Sequence, residues 1–464
     1  MPSGFSFSDR KNYLTYLLLL LVFVAAVWLI LSVGPVTQTN TETSGSVSGN
    51  LWVNFRTPLS VLLTQIIVIL AVAGLFGRLF RRIGQPPVMG EMIAGIVLGP
   101  SVLGFFYPQA MSFIFPATSL ETLRLLSQIG VVIFMFVVGM ELNVRHVKEK
   151  GSAAVLISHA SIVVPFILGA ALSLFLYNGL APPGTSFSAF ALFIGVAMSI
   201  TAFPVLARIL EDRGLSQTQL GSIAITCAAV DDVTAWCILA LVIALVQASG
   251  ITVSLATIGF TLLFAAAMIF LVRPQLRRMV KQATGSHVHT RRLIAGVLGF
   301  VLICALITET IGIHALFGAF IAGVVMPPSV DFRTFLRDKL EAFSAAALLP
   351  LFFAFTGLRT QIGLLNDWRS WAICGVIILV AIAGKLGGSM LMSRWTGMNW
   401  TQSFSIGVLM NTRGLVELVV LNIGYDLGIL SGRIFAMMVL MALVTTFMTG
   451  PLLSLVKIRA KAFS

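Results

Sequence analysis

The chain has 464 residues, 58% of them hydrophobic and only 10% charged, against about 25% charged in an ordinary soluble protein. That excludes a soluble globular enzyme and points to an all-α polytopic membrane protein whose first partner is the lipid bilayer. The formal charge of +13 would suit nucleic acid, but the basic residues lie in short loops between apolar runs. The positive-inside bias accounts for that placement, so no nucleic-acid partner is expected.

Runs long enough to cross a bilayer fall near 13–33, 59–80, 87–104, 125–142, 152–177, 186–210, 218–248, 251–272, 293–311, 313–327, 341–358, 369–393, 401–424 and 433–456, fourteen in all. The run at 313–327 is short and reads as tilted or incomplete. The first run follows Arg10 and Lys11, is too long for a signal-peptide core, and reads as a retained helix. A polar external loop, Thr37 to Asn50, comes after it, so 1–58 is a unit extra to the rest. With the N-terminus inside, alternate loops hold 23 Lys and Arg on the inner side and 5 on the outer, with Lys385 and Arg413 left inside runs. This asymmetry predicts that both termini are cytoplasmic.

An internal repeat is visible. Gly90 to Pro100 (GEMIAGIVLGP) resembles Gly318 to Pro328 (GAFIAGVVMPP). Phe134 and Gly139 recur as Phe352 and Gly357, and Ile194 to Met198 recurs as Ile406 to Met410. The two copies start from opposite faces, which predicts two inverted five-helix repeats, about 87–248 and 313–457, with 251–311 between them. The fourth helix of each repeat looks broken. Pro204 interrupts one at mid-depth, and Asn411, Thr412, Arg413 and Gly414 disfavour a regular helix in the other. Unwound backbone at membrane depth is tolerated only within protein or along a watery cavity.

Asp231 and Asp232 stand side by side at the centre of the run Gly221 to Gln247. An intramembrane carboxylate costs about 3 kcal/mol on insertion scales, so such a pair is by default a functional site. One of the two should hold its proton, or both need a cation nearby. Lys385 is a lone ammonium in its run and needs a counter-ion, for which an aspartate of the pair is the obvious candidate. Arg413 and Glu417 are four apart on one face and read as a charge-compensating pair at the broken helix. Glu91 reads as a carboxylate near a helix N-terminus, and Glu309 with His314 as the outer end of a hairpin. His159 reads as a satisfied core histidine. Cys227, Cys237, Cys304 and Cys374 read as small core residues, since they show neither disulfide nor metal-ligand spacing.

GEMIAGIVLGPSVLG, SITAFPVLARIL, AAVDDVTAW, GKLGG and MNTRGLVELVVLNIG occur in order. Together they resemble the second branch of the monovalent cation:proton antiporters, which holds bacterial sodium/proton antiporters, Kef-type potassium systems and plant cation/proton exchangers. The resemblance covers about 59–457. It implies a core ion-transport domain at 152–248 and 369–457, a dimerisation domain at 59–143 and 293–358, a linker helix at 251–272, and a homodimer. It implies that Asp232 binds ion and proton by turns, so that the pair Asp232 and Asp231 is the metal-binding element for the transported ion. Asp231 would partner Lys385, and Thr201 and Ser199 would line the site. Two departures stand out. Asp231 occupies a place that is Gln in Kef-type members and usually Asn in the plant ones. The sequence also ends seven residues after Lys457, short of a Kef-type nucleotide-binding domain, so control by pH and not by nucleotides is expected.

The expected function is therefore not enzymatic. It is secondary exchange of protons for a monovalent cation, sodium first and potassium as the alternative, electrogenic, with no cofactor. The expected location is a plasma, inner or energised internal membrane. A sodium-coupled solute symporter on a similar fold and a Kef-like potassium efflux system are the competing expectations. Adjacent aspartates on one helix do not suit an intramembrane aspartyl protease, and no Gly-Tyr-Gly filter loop suggests a channel.

Overall fold

The computed structural model describes residues 54–141, 151–216, 218–247, 251–283, 290–327 and 329–455. The chain divides into Met1–Arg56 and Thr57–Ser464, and the following concerns the second unit. The run at 13–33 and the loop at 37–50 lie outside the described residues.

Among those residues the regular structure is helical. The first stretch is α1 Pro58–Arg82, α2 Pro87–Leu98, α3 Leu103–Phe106, α4 Pro108–Ile114 and α5 Ala117–Glu141. Then come α6 Gly151–Leu180, α7 Phe187–Ser199, α8 Phe203–Asp212, α9 Gln219–Gln247, α10 Ile251–Ala267 and α11 Arg273–Ala283. The last stretch is α12 Thr290–Ile311, α13 Ala315–Val324, α14 Val330–Phe343, α15 Leu349–Arg359, α16 Trp368–Ile382, α17 Gly388–Trp395, α18 Trp400–Met410, α19 Leu415–Asp426 and α20 Gly432–Leu455. Single π-helical turns join α10 to α11, α14 to α15 and α16 to α17. Local sequence sets the helix starts. Pro58, Pro87 and Pro108 fill first positions, where no donor is required. Ser186 and Asp367 cap α7 and α16, and Asn399 makes a reciprocal capping box with Gln402 on α18.

Each of the thirteen expected runs within the described residues holds a helix, and the fourteenth, at 13–33, lies outside them. Among the described residues eleven helices are long and apolar enough to cross, and the bent pair α18–α19 makes a twelfth. The short run at 313–327 is α13, only 10 residues long. It begins after His314, whose φ of 81° turns the chain sharply. Glu309 accepts from the Ala315 amide at 2.7 Å, closing the α12–α13 hairpin.

Reciprocal glycine contacts reveal the inverted repeat. A Cβ on Gly95 of α2 would lie 2.6 Å from the Ala354 backbone of α15, and one on Gly357 would lie 2.3 Å from the Gly95 carbonyl carbon. The repeat equates Gly95 with Gly323 and Gly357 with Gly139. A Cβ on Gly139 of α5 would sit 2.2 Å from the Phe320 oxygen, and one on Gly323 of α13 would sit 2.1 Å from the Phe136 oxygen. The first helix of each expected repeat thus crosses the second of the other at backbone contact, which only glycine permits. Gly90 meets Phe76 on α1, and its equivalent Gly318 meets Cys304 on α12. The repeats therefore include α1 and α12, one helix more than expected at each start. The sequence match missed this because the glycine at each crossing lies on α2 or α13, and it meets α1 or α12 at the backbone of Phe76 or Cys304, unlike residues.

The helices fall into two groups. One joins α1, α2, α5, α12, α13 and α15; the other joins α6 to α9 and α16 to α20; α10 touches α9 and α12. Trp236 of α9 stacks on Phe320 of α13 at 6.0 Å between the groups. Two expectations for single residues are corrected. His159 is exposed, its ring nitrogen 2.8 Å from the Val155 carbonyl on its own helix. Cys237 is exposed as well, whereas Cys227, Cys304 and Cys374 are buried. Both exposed residues lie on helix faces turned away from the core, a direction that hydropathy alone does not give.

Candidate functional site

The site forms where two interrupted helices cross. The first interruption is Ile200-Thr201-Ala202, between α7 and α8; the second is Asn411 to Gly414, between α18 and α19, with a 42° bend. They are tied directly, since the Ala202 amide donates to the Thr412 carbonyl at 3.0 Å. Gly414 permits the approach, because a Cβ there would lie 2.8 Å from Val205 Cγ2. Pro204 is the second residue of α8, in the first turn. Its role is to start the second half-helix, not to kink a continuous one, because no helical donor is required at that position.

Two buried cations cover the C-terminal end of α7. Arg413 donates to the carbonyls of Ala197 at 2.9 Å and Met198 at 2.7 Å. Lys385, at the π-turn between α16 and α17, donates to the carbonyl of Ser199. Three successive orphan carbonyls are thereby satisfied, with positive charge at the negative end of the helix dipole. Glu417 sits in the first turn of α19, the favourable end for an anion, 3.3 Å from Arg413. Arg413 thus caps α7 as well as facing Glu417, a role that the four-residue spacing did not reveal.

Asp231 and Asp232 are both fully buried but differ in surroundings. Asp231 Oδ1 accepts from Ser158 at 2.5 Å, and Oδ2 accepts from Thr201 at 2.6 Å and Ser161 at 2.9 Å. Lys385 Nζ is 3.1 Å from the same Oδ2 and completes its own donor set on the Ser161 carbonyl at 3.0 Å. A carboxylate has about four lone-pair sites, and four donors meet Asp231, three at Oδ2 and one at Oδ1. Neither oxygen of Asp232 has a hydrogen-bond partner. A buried carboxylate without a donor requires a proton or a cation. Asp232 is thus a group that can hold either one.

Of the expected residues, the structure brings together Asp231, Asp232, Thr201, Lys385 and both breaks. Ser199 contributes its carbonyl only; its hydroxyl donates to Gly195 at 2.6 Å and Ile162 at 3.1 Å, away from the aspartates. Ser158 and Ser161 were missed. Their signal was the three-residue spacing of two hydroxyls on one face of an apolar helix. Glu91 is the fifth residue of α2, half-buried and beyond the first turn, where the helix dipole has little reach. Among the described residues no three His, Cys, Asp or Glu side chains gather as a metal cluster.

Crossed half-helices around a buried carboxylate, within inverted repeats, define an ion-exchanging secondary transporter, and comparison with known proteins makes it a cation/proton exchange transporter, not an enzyme. The chain belongs to the sodium/hydrogen exchanger family, whose transmembrane region matches residues 67–457. It is 45% identical over 395 residues to a Na(+)/H(+) antiporter of Synechocystis, covering 85% of this chain and 96% of that protein. It is 41% identical to Cation/H(+) antiporter 17 of Arabidopsis thaliana (85% of this chain, 48% of the relative) and 35% identical to K(+)/H(+) antiporter 1 of Saccharomyces cerevisiae (87% and 47%). The chain thus spans about half the length of these plant and yeast relatives. The fold matches a sodium proton antiporter structure from Methanocaldococcus jannaschii with a TM-score of 0.63 at 14% identity, covering 85% of this chain and 96% of that one.

Proposed function

We propose that this chain exchanges protons for sodium, with Asp232 holding proton and cation by turns. The observation that carries this is the contrast between Asp232, buried without a partner, and Asp231, held by three hydroxyls and Lys385. Asp231 and Lys385 hold the crossing in register and gain or lose each other as Asp232 changes occupant. The group α6 to α9 with α16 to α20 moves as a core against the other group, which pairs with a second copy as a homodimer, with α10 as the link. Both termini are cytoplasmic, supported by 23 inner against 5 outer basic loop residues. The membrane is a plasma, inner or energised internal one. The Synechocystis relative is named for sodium and the yeast one for potassium; the fuller match to the former supports sodium.

The test is proteoliposomes carrying a pH-sensitive dye. Added sodium should move protons, potassium less so, and Asp232→Asn should abolish movement while the protein still folds. Exchange preserved in Asp232→Asn would remove the site assignment, and a larger response to potassium would reverse the ion order.

A further inference from the structure

Polar contacts between the two helix groups are unequal at the two faces of the membrane. At the face that charge places outside, Asp426, the last residue of α19, is 2.7 Å from Arg359 and 3.7 Å from Arg124. Arg359 ends α15 and Arg124 lies on α5, so both arginines belong to the opposite group. Asn422, one turn before Asp426, accepts from Arg359 at 3.1 Å and donates to Thr356 at 2.8 Å. The Arg359 guanidinium also lies over the rings of Phe355 at 4.4 Å and Tyr425 at 5.3 Å. At the other face, among the described residues, Gln85 donates to the Phe447 carbonyl at 3.2 Å. Between that face and the site, Met89 and Met92 of α2 share a cleft with Arg413, Gly414 and Thr446, and thioether side chains slide and repack readily.

We propose that Asp426, held by Arg359 and Arg124, is a positioning residue that latches the outer boundary shut and so sets how often the ion site faces outward. The inference rests on the alternating-access reading of the site. Asp426 acts through α19, a rigid helix whose other end begins at the break beside Arg413, about 18 Å away at 1.5 Å per residue. Any movement of the core that opens the outer cleft must separate Asp426 from both arginines. The side chains of Arg359, Arg124 and Asp426 are 19%, 26% and 29% exposed. Partial burial and ring stacking make this cluster stronger than a solvated pair, while water remains close enough to replace it when it opens. Below it a cleft is lined by Gln128, Val131, His314, Leu316, Phe352 and Val419. Val131 is only 1% exposed, so access to it reports opening.

The test labels Val131→Cys with a membrane-impermeant maleimide in right-side-out vesicles; the parent chain gives the background from the native cysteines. Adding Asp426→Asn should raise the labelling rate about tenfold, a typical coupling free energy. Asp426→Glu, which keeps the carboxylate, should label near the parental rate. Arg359→Lys keeps the charge but loses stacking and fork geometry; it should raise labelling as well and serves if Asp426→Asn folds poorly. No rise in a folded Asp426→Asn or Arg359→Lys protein, or an equal rise with Asp426→Glu, would overturn the latch. Labelling needs no ion gradient, so a chain that fails to exchange sodium still reports on the latch, and the two proposals fail separately.

Discussion

Asp231 and Asp232 are neighbours on α9 whose side chains point about 100° apart, and that angle decides their chemistry. One faces α6 and collects Ser158, Ser161 and Lys385; the other faces no donor. The pair and Lys385 were legible in the sequence because a charge inside an apolar run is anomalous on cost alone. Ser158 and Ser161 were not, since a serine in a membrane helix can return its hydroxyl to its own backbone at little cost. Asp426, Arg124 and Arg359 were illegible for another reason: at the ends of runs they look like ordinary loop charges. The serines carry a prediction. Removing both hydroxyls (Ser158→Ala with Ser161→Ala) leaves Asp231 with two donors, and each lost partner of a buried charge costs about 1–3 kcal/mol. The double variant should melt clearly below the parent in detergent and still exchange at a reduced rate, whereas Asp232→Asn should keep its melting point and lose exchange. An unshifted melting point in the double variant would mean that Lys385 and Thr201 suffice to hold Asp231.

At the scale of elements, the interruptions separate two kinds of special residue. Proline and glycine both mark the breaks in the sequence, but the structure gives them different work. Pro204 occupies a first-turn position whose amide would have no helical acceptor, so Pro204→Ala restores no hydrogen bond. It should leave the apparent sodium affinity and rate nearly unchanged, contrary to what a kink would require. Gly414 is needed for space, because its missing Cβ lets α19 approach Val205 of α8. Gly414→Val should force the crossing apart at a cost of about 1–3 kcal/mol and weaken sodium binding several-fold. Measured side by side in the exchange assay, equal losses for the two variants would show that both act on helix continuity and not on packing. The repeat is legible for the same reason as Gly414: close crossings demand small residues, and Gly95, Gly139, Gly323 and Gly357 are spaced by the fold's own symmetry. Where α1 and α12 face outward, composition is free to drift and the repeat fades from the sequence.

For the whole molecule, the question is how much charge crosses the membrane in each cycle. A lone carboxylate carrying proton or sodium by turns would exchange one for one and ignore the membrane potential. Here Asp231 and Lys385 add an ion pair that is fully buried. On the proposed exchange, sodium at Asp232 would draw Asp231 away from Lys385, and Lys385 would release a proton as Asp232 releases its own. Two protons would then move against one sodium, with one net charge crossing. Each charge through 100 mV is worth about 2.3 kcal/mol, which shifts the equilibrium sodium ratio about fiftyfold. In proteoliposomes without a pH gradient, a potassium–valinomycin potential, negative inside, should then drive sodium out of the lumen as protons are drawn in. Reversing the potential should reverse the flux. A single-residue deletion is a poor probe here, because removing one partner of a buried pair leaves a costly unpaired charge and confounds folding with coupling. The parent protein under imposed potential avoids that difficulty. Sodium flux that ignores both the sign and the size of the potential would return Lys385 to the structural task already visible in its bond to Ser199, with the exchange one for one.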